Sequence, residues 1–283
     1  MAPSSLHPPS HSDEIQLSFP QEHVLLLTFN RPKALNAVTP TMTSDIKRVL
    51  DWFDQEPSLW VLVLTGAGRI FCAGADLVAW NQRQSGGGAD SDQSDIINEA
   101  DGFASLSRRT ATSKPIIAAV HGGAYGGGME IILNCDIVIA SEDAKLALPE
   151  VKRGVTAIQG GMPRLARIAG HQLASELLLT GKAISATEAA TRFGFVNQVV
   201  PKDKVLSAAL AWAHEINQNS PDSVQSTKRA LLLANRHGSV EDAVIAHVGS
   251  AESKRAFTSE NIQEGLRAFV EKRKPAWKNP AKL

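Results

Sequence analysis

The chain has 283 residues, 43% hydrophobic and 20% charged, with 29 basic side chains balanced by 29 acidic ones. That length is ample for a sizeable core in one large domain or two modest ones, and the composition is that of an ordinary soluble globular protein. With no net charge there is no basic surplus to neutralise a nucleic-acid backbone or coat a membrane surface, and no apolar run reaches the ~18 residues a bilayer span requires.

The first residues, MAPSSLHPPSHSDE, lack the basic and apolar regions of a secretory signal and read as a disordered lead over 1–13. His23–Asn30 (HVLLLTFN) reads as a buried strand. Thr39–Phe53 places Met42, Ile46, Val49, Leu50 and Phe53 at helical spacing, with Thr39 as the cap and Pro40 next. Leu59–Thr65 is a second apolar strand, residues 84–94 (QSGGGADSDQS) form a loop, and Ile96–Thr110 is weakly helical. Pro115–Val120, Asp136–Ala140 and Leu146–Leu148 are further strands. After about Val200 the strand signals stop, and helices are expected over Lys202–Gln218, Asp222–Asn235, Val240–Ala256 and Asn261–Lys272. The chain therefore divides into an α/β core over 14–200, a helical region over 201–277 and a tail over 278–283.

Cys72 and Cys135 are far apart and form no CxxC, so they read as inert core thiols. There is no HExxH. The one HxxxH pair, His7 and His11, spans two prolines and cannot share a helix face, so no metal site is expected.

The chemistry-bearing stretch is HGGAYGGGME, residues 121–130. Its glycines do not fit the Gly-x-Gly-x-x-Gly spacing of a dinucleotide site, and Met129-Glu130 stands where a phosphate loop needs Lys-Ser/Thr. What remains is a helix start with free amides after a strand, suited to hold a developing oxyanion, with Glu130 about one turn in. Close backbone packing with a solvated Glu130 explains the same residues, and the sequence leaves both readings open. Glu150, at the end of KLALPE, can join Glu130 if the strand DIVIA returns the chain; a surface position is the alternative. Two carboxylates in one apolar pocket titrate apart and can divide acid and base roles. The small-residue turn FCAGADL, 71–77, follows a strand and could supply a second backbone donor, with Asp76 better read as a turn cap than as a catalyst.

The segments FNRPKALNAV (29–38), GRIFCAGADL (68–77), AAVHGGAYGGGMEIILNCDIVIAS (118–141), LALPEVKRGV (146–155), GGMPRLARIAG (160–170), LTGKAISATEA (179–189), GFVNQVVP (194–201) and AFVEKRKPAW (268–277) resemble, in order, the enoyl-CoA hydratase/isomerase (crotonase) superfamily. The resemblance implies an α/β spiral of ββα units with a C-terminal all-helical region that builds homotrimers or homohexamers. It implies oxyanion-hole amides on Ala75 and Gly127, and coenzyme A or substrate contacts from Lys33, Leu35, Ala73, Gly74, Asp76, Leu77, Phe269 and Lys272, the last two from a neighbouring helix or subunit. Glu130 and Glu150 match the two hydratase carboxylates. Keeping both implies addition of water across the 2,3 double bond of a 2-enoyl-CoA, or the reverse dehydration, as in fatty-acid β-oxidation. The alternatives are a Δ3,Δ2-enoyl-CoA isomerase or a specialised carnitinyl-, methylglutaconyl- or mevalonyl-CoA hydratase. No cofactor is implied, since coenzyme A is part of the substrate.

Ala157 stands where the family segment has Pro, with Gln159 close by near the expected acyl end. The motifs HGGAYGGGME and ALPEVKRG lie nearer the carnitinyl-CoA dehydratase branch than the short-chain hydratases. Trp80, Tyr125 and the 84–94 loop are candidates to shape the acyl pocket, with plain packing as good a reading for Trp80 and Tyr125. The final Ala281-Lys282-Leu283 resembles the Ser-Lys-Leu address read by the peroxisomal import receptor, which in a eukaryotic source implies peroxisomal rather than cytoplasmic location. The basic, Pro-containing segment before it is expected to leave that tail accessible.

Overall fold

The computed structural model describes residues 6–76 and 100–281. Leu77, Trp80, the 84–94 loop, the start of the weakly helical 96–110 segment, and Lys282-Leu283 lie outside the described residues.

A six-stranded sheet forms the centre, in the order β1 (Ile15–Ser18), β2 (Val24–Phe29), β3 (Val61–Gly66), β4 (Ile116–Val120), β6 (Ile137–Ser141), β9 (Gln198–Val200). Only β1 runs antiparallel to its neighbour; every other pair is parallel. Parallel strands buried on both faces read as unbroken apolar runs, as in VLLLTF and VLVLTG. Leu25, Leu27 and Phe29 of β2, with Leu62 and Leu64 of β3, join the core that contains α1 (Pro40–Gln55). The alternate residues Val24, Leu26, Val61 and Val63 face Val205, Ala209 and Ala213 of a later helix. Thr39 caps α1, its side chain accepting from the Met42 N–H at 3.0 Å.

A second, three-stranded sheet carries β5 (Gly123–Tyr125), β7 (Lys145–Ala147) and β8 (Ile184–Ser185). The chain leaves β4 at His121-Gly122, enters β5 and turns at once into the short helix α2 (Gly127–Ile132). After β7 come α3 (Gly161–Ala169) and α4 (His171–Thr180), separated by Gly170 at φ 83°. The C-terminal part is α5 (Val205–Asn217), α6 (Pro221–Ala234), α7 (Val240–Val248), α8 (Ala251–Thr258) and α9 (Glu260–Val270). Two expectations differ. Over residues 100–110 the chain forms only a three-residue 3-10 turn, Phe103–Ser105, because Gly102 takes φ 69° and Ser107 Oγ binds the Phe103 N–H at 2.8 Å. The helix expected over Val240–Ala256 is two helices, broken at Gly249-Ser250, where the Ser250 side chain caps α8. No helix among the described residues is long and apolar enough to cross a membrane.

Candidate functional site

The site lies where three backbone segments meet. Cys72 bridges Ala124 of β5 in parallel, and the Tyr125 N–H donates to the Cys72 carbonyl at 3.0 Å. On its other side the same segment bridges Val38 through Ala75. Gly74 has φ 91°, and a Cβ there would lie 2.8 Å from the Tyr125 carbonyl and 3.2 Å from the Gly127 nitrogen. Ala75 and Gly127 are therefore brought to one place. Neither N–H has a hydrogen-bond acceptor among the described residues, so both are available as preorganised donors.

Each glycine of 126–128 has its own steric reason. Gly126 takes φ 53°, and a Cβ on it would come 3.0 Å from Glu150 Oε1. A Cβ on Gly127 would meet the Phe103 ring at 2.5 Å, and one on Gly128 would meet Cys72 Cβ at 2.8 Å. Of the alternative reading, the close packing is present but the solvated Glu130 is not, since Glu130 is buried.

Glu130 sits in the first turn of α2 and is 3% exposed. The Gly161 N–H donates to its Oε1 at 2.9 Å. Burial pushes its carboxyl up to about 7; the Glu150 charge adds to the rise, and the Gly161 N–H and the Arg164 charge work against it. Glu150 arrives by the parallel pairing of β7 with β5, in which Tyr125 faces Ala147 and the Gly126 N–H donates to the Ala147 carbonyl at 3.0 Å. Pro149 then opens a short 3-10 turn that presents Glu150 beside Gly126. Burial raises its carboxyl too, and its Oε2 is buried with no hydrogen-bond partner among the described residues. The strand return on which the Glu130–Glu150 meeting depended is the one the fold makes.

The remaining candidates divide. The Ala73 N–H donates to the Leu35 carbonyl at 3.0 Å, which joins the Lys33–Leu35 turn to Ala73-Gly74; the Lys33 side chain is exposed. Asp76 pairs with Arg31, 3.4 Å away, and its N–H donates to the Val38 carbonyl, both roles that hold the loop. Leu77 lies outside the described residues. Phe269, 84% exposed at the end of α9, and Lys272 beyond it present themselves to solvent in the single chain. Tyr125 lies over its own strand, its ring 2.7 Å from where a Gly123 Cβ would be. Burial pushes the Cys72 thiol up to about 12, and Cys135 is raised as well, so both are unreactive at neutral pH.

Some contributors were not legible beforehand. Gly161 and Arg164 lie inside the quoted run GGMPRLARIAG, but nothing in its spacing showed that they face Glu130. Phe103 covers Gly127 across about two dozen residues of chain. Buried Asn36 ties the 31–36 turn to the Ala67 and Ile70 carbonyls at 2.9 Å each and accepts the Arg31 N–H.

A fold of short spiralling strands that sets bare amides against a buried and a half-buried carboxylate defines the crotonase-like class, which works on coenzyme A thioesters. The chain belongs to the enoyl-CoA hydratase/isomerase family, whose model matches residues 20–280. It is 47% identical over 269 residues to a mevalonyl-coenzyme A hydratase of Aspergillus fumigatus, covering 94% of this chain and 95% of that one. To a mevalonyl-coenzyme A hydratase of Beauveria bassiana it is 44% identical, covering 96% and 97%. Among solved structures, an enoyl-CoA hydratase from Mycobacterium tuberculosis H37Rv superposes with a TM-score of 0.83 at 33% identity, over 95% of this chain and all of that one. The protein is a hydratase, a carbon–oxygen lyase acting on an acyl-CoA thioester.

Proposed function

We propose that the protein interconverts a 2-enoyl-CoA and its 3-hydroxyacyl-CoA through Glu130 and Glu150, with the thioester oxygen held by the Ala75 and Gly127 amides. The observation that carries this is a buried and a half-buried carboxylate, both raised by burial, beside two amides that have no acceptor among the described residues. The proposed step starts with one carboxyl protonated and the other ionised. In hydration, water gives its hydroxyl to the β-carbon and its proton to the ionised carboxylate, while the other carboxyl gives its proton to the α-carbon. The two amides stabilise the enolate that forms between these events. The pair again holds one proton afterwards, and no cofactor enters the balance.

For the acyl group, mevalonyl-CoA and its dehydration product are the pair to test first, on the strength of the two fungal relatives so named. The enoyl thioester absorbs in the ultraviolet, so formation of the conjugated double bond from mevalonyl-CoA can be followed directly, with 3-hydroxybutyryl-CoA beside it. Turnover of mevalonyl-CoA at a higher kcat/KM supports the specialised reading. Preference for the straight-chain substrate returns the enzyme to general enoyl-CoA hydration, and turnover of neither sinks both.

The Ala281-Lys282-Leu283 ending supports peroxisomal import; equal import of the intact chain and of one lacking residues 281–283 would remove it. The exposed apolar side chains of α7–α9, including Val240, Ile245, Val248, Phe257, Leu266 and Phe269, support a homotrimer or hexamer in which a neighbouring copy covers them and Phe269 and Lys272 reach a partner's coenzyme A.

A further inference from the structure

One buried hydroxyl links the two halves of the site. Ser107 is fully buried. Its Oγ accepts the Phe103 N–H at 2.8 Å and donates to the Gln159 carbonyl at 2.7 Å. Phe103 lies against Gly127, on which a Cβ would meet the ring at 2.5 Å. Gln159 leads through Gly160 into Gly161, whose N–H holds Glu130 Oε1 at 2.9 Å. The Gln159 N–H also supports the ionised Glu130. The Ser107 hydroxyl thus stands between the ring that covers one oxyanion amide and the loop that clamps one acid.

The turn around it is tightly determined. Ala104 and Ser105 both take φ 54°, a left-handed backbone region that residues other than glycine seldom enter. Gly102 takes φ 69°, and a Cβ there would lie 2.6 Å from Ser107 Oγ. Beyond the end of α2, Asn134 gives Nδ2–H to the Leu106 and Arg109 carbonyls at 2.6 and 3.0 Å. The turn is therefore fixed at both ends of the helix that carries Glu130. Backbone of this kind persists only where its neighbours over-determine it, and it gathers at functional sites. The position also needs a hydroxyl in particular, because the side chain accepts one hydrogen bond and donates another. Alanine would take this partner from the Phe103 N–H and from the Gln159 carbonyl.

We propose that Ser107 is a positioning residue for the reaction, setting the Gly127 amide through Phe103 and Glu130 through the Gln159–Gly161 loop, so that oxyanion donor and acid are held as one unit. This rests on the two-carboxylate reading above.

The pH profile of kcat/KM, measured on mevalonyl-CoA or 3-hydroxybutyryl-CoA, whichever turns over faster, tests the role. Burial raises the Glu130 carboxyl and the Glu150 charge adds to the rise, while the Gly161 and Gln159 N–H groups and the Arg164 charge oppose it. Loosening the loop weakens two of those opposing contacts, so the carboxyl rises further and the alkaline limb moves to higher pH. Ser107→Ala is expected to lower kcat about tenfold or more with KM within about threefold of wild type, and to move the limb upward from about 7. Ser107→Thr and Ser107→Val add nearly the same bulk and differ in the hydroxyl. The former should keep the wild-type limb and exceed the latter in kcat by about tenfold, and this comparison decides the matter if Ser107→Ala does not fold. An unchanged kcat in folded Ser107→Ala overturns the proposal. So does a loss of rate with the limb unmoved, which marks a packing role alone. Glu130→Gln separates the two claims. If it leaves the limb in place, the two-carboxylate reading fails and the Ser107 role falls with it; if it removes the limb while Ser107→Ala does not shift it, only the Ser107 role fails.

Discussion

Glu130 shows how burial becomes chemistry. Its carboxyl is pushed from an ordinary 4.5 to about 7 by desolvation, so near neutrality it exchanges a proton readily, as an acid–base group should. The same shift acts on stability. Below pH 4 the group is protonated in both states. As pH rises the unfolded chain ionises first, near 4.5, and stability falls until Glu130 ionises in the fold near 7. Above that the cost is on the order of 3 kcal/mol. Glu130→Gln is therefore expected to flatten the decline in denaturant stability between pH 4.5 and 7 while lowering kcat by ~10²–10⁴. An unchanged rate, or a stability profile parallel to wild type, contradicts the assignment. In wild type, kcat/KM should fall on the alkaline side with a limb near 7, which Glu130→Gln removes. Glu150→Gln should cost a similar factor, whereas an isomerase would need only one of the two acids.

Among the elements, the glycine run and the Phe103 turn are two halves of one contact. Gly127→Ala drives a methyl into the Phe103 ring at 2.5 Å, and overpacking of this kind costs ~1–3 kcal/mol. The single variant should lose stability and activity together; Gly127→Ala with Phe103→Ala should regain much of the stability. If the single variant melts like wild type, the ring is not where the contact places it. This pairing also marks the limit of what the sequence disclosed. The apolar strands and α1 were legible because each carries its own period or its own cap. The short strands β5 and β8 were not, because two or three residues hold no period and exist only through their neighbours; β7 was read one residue late, at Leu146–Leu148. The 96–110 segment reads as weakly helical, yet over its described residues Gly102 and Ser107 shape a short turn that sets Phe103 against Gly127. The two glutamates could be named from sequence, and their meeting depended on a strand return that spacing alone left open.

At the scale of the whole molecule, the core and the C-terminal helices finish differently. The inner strands β2, β3 and β4 are buried on both faces, whereas α7–α9 leave Val240, Ile245, Val248, Phe257, Leu266 and Phe269 open. Apolar side chains exposed in this way support the association proposed above. Ile245→Glu with Phe269→Glu should reduce the mass seen by light scattering to that of one chain. It should also raise KM more than it lowers kcat if a partner's Phe269 helps to hold coenzyme A. A wild-type chain that is already monomeric at micromolar concentration would end that reading.

The Cys72–Ala124 bridge has a consequence for how widely such a site can be reused. Ala75 and Gly127 each lie three residues beyond those bridge partners, where the chain has already left the bridge: Gly74 takes φ 91° and Gly127 opens α2. The two proposed donors are thus backbone groups held by turns, not side chains. Under the proposed mechanism, the walls around the acyl group can change while the grip on the thioester oxygen is kept.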